Sequence, residues 1–166
     1  MKNLILPAFH EIDPFYDCHS EILILGSFPS PKSRESGFYY GHPQNRFWKI
    51  LSSVFEEPVP VCADEKKHFL KKHRIALWDV IASCEIAGAD DRSIRNPVAN
   101  DISLILSRAP IRKILTTGTA ASRLYRKLCL PATGVEAVAL PSPSPANCAM
   151  SLSVLTERYR TAIIGQ

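Results

Sequence analysis

Short, uninterrupted apolar runs recur along the chain, and they are rich in branched residues. A run of this kind, bounded by turn residues, is typical of a strand that is buried on both faces of a parallel sheet. The first run, E-I-L-I-L-G, ends at a glycine. The pattern predicts four strands, at residues 21–26, 75–80, 112–116 and 136–140.

Segments with apolar residues at helical spacing lie between these runs. The pattern predicts five helices, at residues 45–54, 63–73, 100–108, 118–128 and 147–163. Because strands alternate with helices, we expect an α/β fold, a three-layer sandwich around a central, four-stranded, mainly parallel sheet. The sequence contains no repeat and no linker, which favours a single domain over residues 1–166.

Composition and charge are those of an ordinary globular domain. The chain has 166 residues, 46% of them hydrophobic, and a net charge of +4. A mildly basic surface is compatible with a phosphate-bearing partner without requiring one. The apolar runs are far shorter than the roughly 20 residues of a membrane-spanning helix, and no signal-peptide pattern opens the chain. We expect a cytoplasmic protein with no membrane partner.

The cysteines are scattered and form no C-x-x-C pair. Metal and iron–sulfur sites need several sulfur ligands at close spacing. We therefore expect a reduced, cytosolic protein with no metal, no iron–sulfur cluster and no other cofactor. The five residues concerned are Cys18, Cys62, Cys84, Cys129 and Cys148.

Three loops are candidates for the functional site, because ligands of parallel sheets bind beyond the carboxyl ends of the strands. The first follows residue 26 and is unusually long, with many Ser, Pro, Gly and aromatic residues. The last strand is followed by L-P-S-P-S-P-A-N. Residues 83–100 are predicted to be a polar loop that contributes part of the site.

Motifs in the first and last of these loops resemble those of the uracil-DNA glycosylase superfamily. They are G-S-F-P-S at residues 26–30, Y-Y-G-H-P-Q-N-R-F-W at 39–48 and L-P-S-P-S-P-A-N at 140–147. The pairing of the first and last motifs is similar to the hypoxanthine-DNA glycosylase branch. The resemblance implies a monomeric, monofunctional enzyme that flips a deaminated base, above all hypoxanthine, out of damaged DNA. Hydrolysis of the glycosidic bond would leave an abasic site for base excision repair.

Two positions depart from the uracil-specific members of this family. Those enzymes carry Asp or Asn before the proline of the first motif, and His or Asn at the start of the last motif. Here these positions are Phe28 and Leu140. The lost polar groups act on the attacking water and on the uracil oxygen, so both departures argue against uracil as the main substrate.

Asn45 is the candidate catalytic residue. In the hypoxanthine branch the asparagine of H-P-x-N-R-F-W is the essential side chain, and the resemblance carries that role to Asn45. From the pattern alone Asn45 is instead an N-cap of the helix that follows it. The two roles are compatible, because an amide offers both an acceptor and a donor.

Four residues are candidates for contact with the extruded base: Ser27, Phe28, Tyr40 and Asp79. Tyr40 falls where the mismatch-specific branch stacks an aromatic ring on the base, and Phe28 would form an apolar wall. Asp79 ends the second predicted strand, near the position that reads the base edge in this family. The ordinary alternatives are core packing for the two aromatic residues and a cap or an ion pair for Asp79.

The remaining candidates are for contact with the DNA backbone, since hydroxyls and amides bind phosphate without sequence preference. Six of them have plain alternatives: a loop-ordering hydrogen bond for His42, solvent exposure for Arg46, and a rigid turn for the four within residues 141–147. The basic stretches near residues 66–72 and 123–127 are predicted to be solvated helix faces, with a DNA-facing patch as the alternative. The backbone-binding candidates are Ser30, His42, Arg46, Pro141, Ser142, Ser144 and Asn147.

Three other functions stay open from the sequence. One is a glycosylase of the same family that acts mainly on uracil or xanthine. Another is a binding module with this fold and no catalysis, because fold does not determine function. A small-molecule hydrolase ranks last, since the chain has no G-x-S-x-G motif.

Overall fold

The computed structural model describes residues 4–165, and its centre is a parallel sheet. Four strands lie side by side in this sheet, and all neighbours are parallel. Their spatial order is Ile75–Asp79, Ile22–Gly26, Lys113–Thr117 and Ala137–Leu140. They match the four predicted strands to within one residue at each end, which confirms the predicted α/β fold. The seven strands in this part of the chain are β1 (Leu6–Phe9), β2 (Ile22–Gly26), β3 (Ile75–Asp79), β4 (Ile81–Ala87), β5 (Asp90–Ala99), β6 (Lys113–Thr117) and β7 (Ala137–Leu140).

Helices flank this sheet and differ in detail from those predicted. Where one helix was predicted over residues 118–128, an α-helix gives way to a π-helical turn, Tyr125–Cys129. No helix within residues 4–165 has the length and apolar character needed to cross a membrane. The helices are α1 (Pro31–Ser36), α2 (Phe47–Phe55), α3 (Ala63–Lys72), α4 (Ser103–Arg108), α5 (Thr119–Leu124), α6 (Leu130–Thr133) and α7 (Leu152–Ile163).

A second, antiparallel sheet corrects the prediction that residues 83–100 form a loop. Strands β4 and β5 form a hairpin, and β1 pairs with the other edge of β4. The sequence hid β5 because it is a polar edge strand with no fully buried residue, contains Pro97, and pairs with β4 through several register shifts. The hairpin brings the β4–β5 turn beside the parallel sheet.

Aromatic residues fix the long loop that follows β2. Tyr39 is fully buried, and its hydroxyl donates a hydrogen bond to the carbonyl of Asp13 at 2.7 Å. The indole Nε1 of Trp48 donates to the carbonyl of Tyr39 at 3.2 Å. The side chains of Tyr39 and Trp48 are buried, so these bonds hold the loop in one conformation above the carboxyl ends of the strands.

Candidate active site

A cavity of about 120 Å³ lies at the carboxyl end of the parallel sheet. Its walls come from both the first and the last loop motif, from the ends of β3 and β6, and from the β4–β5 turn. Eight predicted site residues line it: Ser27, Phe28, Ser30, Tyr40, Asn45, Asp79, Ser142 and Ser144. Pro141 and Asn147 line an adjoining groove instead.

Asp79 lies at the base of the cavity, where two parallel strands approach closely. It ends β3 directly beside Gly26, which ends β2. A Cβ atom at Gly26 would overlap Oδ1 of Asp79, so only glycine leaves room for this carboxylate. Asp79 is 5% exposed, and its Oδ2 pairs with Nε2 of His10 at 2.8 Å.

His10 was missed by the sequence analysis. It follows β1, and its side chain is 3% exposed. Its ring also lies edge-on to the ring of Phe28, with centroids 6.1 Å apart. His10 and Asp79 are 69 positions apart in the sequence. Because the pattern also does not predict β1, no local pattern could have paired these two residues.

Asp91 is a second carboxyl group in the cavity wall, and it was also missed. Its Oδ1 accepts a hydrogen bond from Oγ of Ser27 at 2.9 Å. Burial raises the pKa of Asp91, the negative charge of Asp79 raises it further, and the Ser27 bond opposes both effects. Residues 83–100 do contribute to the cavity wall, through Asp91, but they form a hairpin rather than the predicted loop.

Tyr40 is held on one ring face and at its hydroxyl. Its ring stacks on that of Phe47, with centroids 3.8 Å apart and an angle of 15°. Its hydroxyl lies 3.0 Å from Oγ1 of Thr117, at the end of β6. Burial and the charge of Asp79 raise the pKa of Tyr40, which keeps the phenol neutral. Since Phe47 covers one face, the opposite face is the one left for a base.

Asn45 is not the N-cap that the pattern predicts: Arg46 occupies that position, without a side-chain capping bond, and Asn45 directly precedes it. Its Oδ1 accepts a hydrogen bond from the backbone N–H of Phe47 at 2.9 Å, at the start of α2. Its side chain also lines the cavity. Within residues 4–165 the amide Nδ2 donates to no protein acceptor, so its two N–H groups are available to a ligand or a water.

Arg46 is bound within the protein, which departs from the alternative of solvent exposure. Its guanidinium group donates to four backbone carbonyls of one segment: Pro143 at 3.4 Å, Ser144 at 3.0 Å, Asn147 at 2.7 Å and Met150 at 2.6 Å. Four of its five N–H donors are therefore used within the protein. Arg46 joins the second motif to the last one, and contact of its remaining N–H with a phosphate stays a prediction.

The last motif is also ordered by its own side chains. Oγ of Ser142 accepts from the N–H of Ser144, and Oγ of Ser144 accepts from the N–H of Ala146. The amide of Asn147 donates to the carbonyl of Ser142 at 3.0 Å. Each serine keeps its hydroxyl hydrogen as a donor for an anion.

The two other backbone-binding candidates make local hydrogen bonds. Nδ1 of His42 accepts from the N–H of Gln44 at 3.1 Å, which fits the loop-ordering alternative. Oγ of Ser30 accepts from the N–H of Ser33 and caps α1. Contact of either residue with DNA stays a prediction.

Comparison with known proteins identifies the family. The model of the uracil DNA glycosylase superfamily matches residues 14–164. The chain belongs to the uracil DNA glycosylase superfamily.

Similar proteins come from two species of Methanosarcina. The chain is 36% identical to a hypoxanthine DNA glycosylase of Methanosarcina barkeri, over 81% of this chain and 85% of that protein. It is 40% identical to a hypoxanthine DNA glycosylase of Methanosarcina acetivorans, over 79% and 83%. A solution NMR structure of a Methanosarcina acetivorans protein assigned to the uracil DNA glycosylases superposes with a TM-score of 0.77 and 33% identity, covering 92% of this chain and 97% of that one.

Arg46→Lys is expected to destabilise the protein by about 2–4 kcal/mol, because a lysine cannot form the forked set of hydrogen bonds and leaves carbonyls unpaired. Urea unfolding measures the loss. Arg158→Lys is the matched control, since Arg158 is exposed on α7. Equal stability of the two variants would contradict the bracing role of Arg46.

The raised pKa of Asp91 predicts a pH-dependent difference between the wild type and Asp91→Asn. Protonation of a group with a raised pKa favours the folded state, so the stability from this group is present below the ordinary carboxyl pKa of 3.8 and is lost as pH rises through the raised value. Lowering the pH from 7 towards 4 should therefore stabilise the wild type relative to Asp91→Asn in urea unfolding. A pH-independent difference would contradict the raised pKa.

Proposed function

We propose that this chain is a monofunctional DNA glycosylase that excises hypoxanthine from deoxyinosine in damaged DNA and leaves an abasic site. The observation that carries the proposal is the Asn45 amide in the wall of the cavity where the family motifs meet. The similar hypoxanthine DNA glycosylases support the choice of base. We further propose that the enzyme works as a cytoplasmic monomer without metal or cofactor.

The cavity requires the target nucleotide to leave the duplex. Flipping costs a few kcal/mol and costs least for a mispaired or damaged base, which favours a weakly paired base such as hypoxanthine. The free face of Tyr40 would receive the extruded base, and stacking of this kind contributes roughly 1–3 kcal/mol per base. Phe28 supplies an apolar wall, consistent with its 9% exposure at the cavity.

Asp79 is suited to reading the edge of the base. His10 holds its Oδ2, so Oδ1 beside Gly26 is the oxygen left to accept a hydrogen bond. Hypoxanthine carries an N1–H donor beside its O6 acceptor, whereas adenine carries an N1 acceptor beside an amino donor. A carboxylate acceptor at N1 therefore favours hypoxanthine over adenine.

Bond cleavage would pass through an oxocarbenium-like sugar cation, as in other glycoside hydrolyses. The Asn45 amide is positioned for one of two tasks: to orient the attacking water, or to donate to the departing base. Among residues 4–165 no lysine lines the cavity, so the proposal includes no Schiff base and no strand cleavage.

Deoxyinosine duplexes should lose their base fastest, ahead of xanthine and uracil, and deoxyadenosine should be rejected by about 10⁴-fold or more, because it leaves the carboxylate unpaired. Single-turnover excision from end-labelled duplexes, followed by alkali, gives this order. Faster release of uracil would show that the interpretation of Phe28 and Leu140 is wrong. Release of no base would favour the binding module, and strand cuts without alkali would contradict monofunctional chemistry.

Asn45→Asp separates the amide donor from the local hydrogen bond at the start of α2. Aspartate can accept the N–H of Phe47 as asparagine does, but its carboxylate has no N–H donor. We expect unchanged thermal stability and a loss of about 10²–10³-fold in the excision rate, as for the removal of one donor from an anion-stabilising site. Gln44→Glu is the matched control, because Gln44 is exposed next to Asn45. Full activity of Asn45→Asp would leave Asn45 with the hydrogen bond to Phe47 alone.

A further inference from the structure

A groove leads away from the mouth of the cavity. It shares Asp91, Ser142 and Ser144 with the cavity and continues past the start of α5. At Arg123 it meets two further depressions, one against the end of β7 and one against β5. The cavity and these depressions therefore form one continuous surface.

Exposed cations line the two depressions, and no function described so far uses them. They come from three elements: β5, the segment from α5 into the π-helical turn, and α7. Rigid elements hold them in place, with β5 packed against the π-helical turn. We call these five residues the basic track: Arg95, Arg123, Arg126, Lys127 and Arg158.

The residues of the basic track lack internal partners. Within residues 4–165 none of them forms an ion pair with a carboxylate. Glu85 lies opposite Arg95 in the hairpin, but its carboxylate accepts from the amide of Asn96. By contrast, Arg74 and Arg112 both pair with Glu21 at the amino end of the sheet.

Clustered cations without counter-charges repel one another, so such a surface gains stability from an anionic partner. The partner must be long, because the track extends from one depression to the other. It must also reach the cavity mouth, because the surface is continuous with it. A nucleic acid backbone meets both requirements, since a duplex carries one phosphate charge per about 1.7 Å of axis.

We propose that the basic track binds the phosphates of the duplex that flanks the flipped nucleotide on one side. This inference rests on the proposed function for the kind of nucleic acid. The track extends the DNA contacts beyond the loop motifs, and its contribution is to affinity and scanning rather than to recognition of the base.

The test is the salt dependence of DNA binding by the double variant Arg123→Gln/Arg126→Gln, measured by fluorescence anisotropy. Each lost phosphate contact makes the slope of log affinity against log salt less steep by roughly 0.9. The slope of the double variant should therefore be less steep than that of the wild type by about 2. The duplexes are undamaged or carry a tetrahydrofuran abasic analogue, so no base is released. Thermal unfolding checks that both variants fold.

Arg74→Gln/Arg112→Gln is the matched control, since it removes the same charge from the opposite end of the sheet. It should keep the wild-type slope. An unchanged slope in the track variant, or an equal loss in the control, would overturn the proposal.

Shortened duplexes test the prediction that the basic track contacts the DNA on only one side of the flipped nucleotide. Shortening the DNA close to the lesion on one side should abolish the difference between the wild type and the track variant, and shortening on the other side should preserve it. A difference that survives both trims would overturn the proposal. If the wild-type protein releases no hypoxanthine but the slope of the track variant changes as expected, the proposed function alone is refuted. If the wild-type protein releases hypoxanthine but the slope does not change, the role of the basic track alone is refuted.

Discussion

The site depends on the close approach of β2 and β3 at their carboxyl ends. Their register places Gly26 beside Asp79, and the missing side chain of the glycine leaves space for the carboxylate. The backbone continues this contact, because the N–H groups of Val80 and Ile81 donate to the carbonyls of Gly26 and Ser27. A buried charge is expensive unless it is hydrogen-bonded, and His10 supplies the bond.

Arg46 connects parts of the site that are far apart in the sequence. Its backbone N–H and its guanidinium group both donate to the loop after β7, while the neighbouring Asn45 faces the cavity. One residue of the second motif therefore orders the last motif, about a hundred positions away. This connection gives a physical reason for the two motifs to occur together, since the segment that carries the proposed catalytic amide also holds the loop after β7.

The parallel sheet could be predicted from the sequence because each of its strands is an apolar run. The hairpin could not, since β5 is a polar edge strand whose burial gives no clear alternation. The same reason hid Asp91, although the glycine of the G-A-D-D-R segment was a signal for a turn. His10 escaped because its importance comes from a contact with Asp79 that only the tertiary fold creates. Arg46 was predicted at the site, but its partners are backbone carbonyls, which no side-chain pattern reveals.

The proposed function requires a flipped hypoxanthine in the cavity between Asp79, Tyr40 and Asn45. A crystal structure with a duplex that carries 2′-fluoro-deoxyinosine tests this most directly, because the fluorine disfavours the sugar cation and preserves the bond. We expect hypoxanthine inside the cavity, with N1–H donating to Asp79 and the Asn45 amide at the base or at a water beside the sugar. A base that stays stacked in the duplex, or that binds outside this cavity, would contradict it.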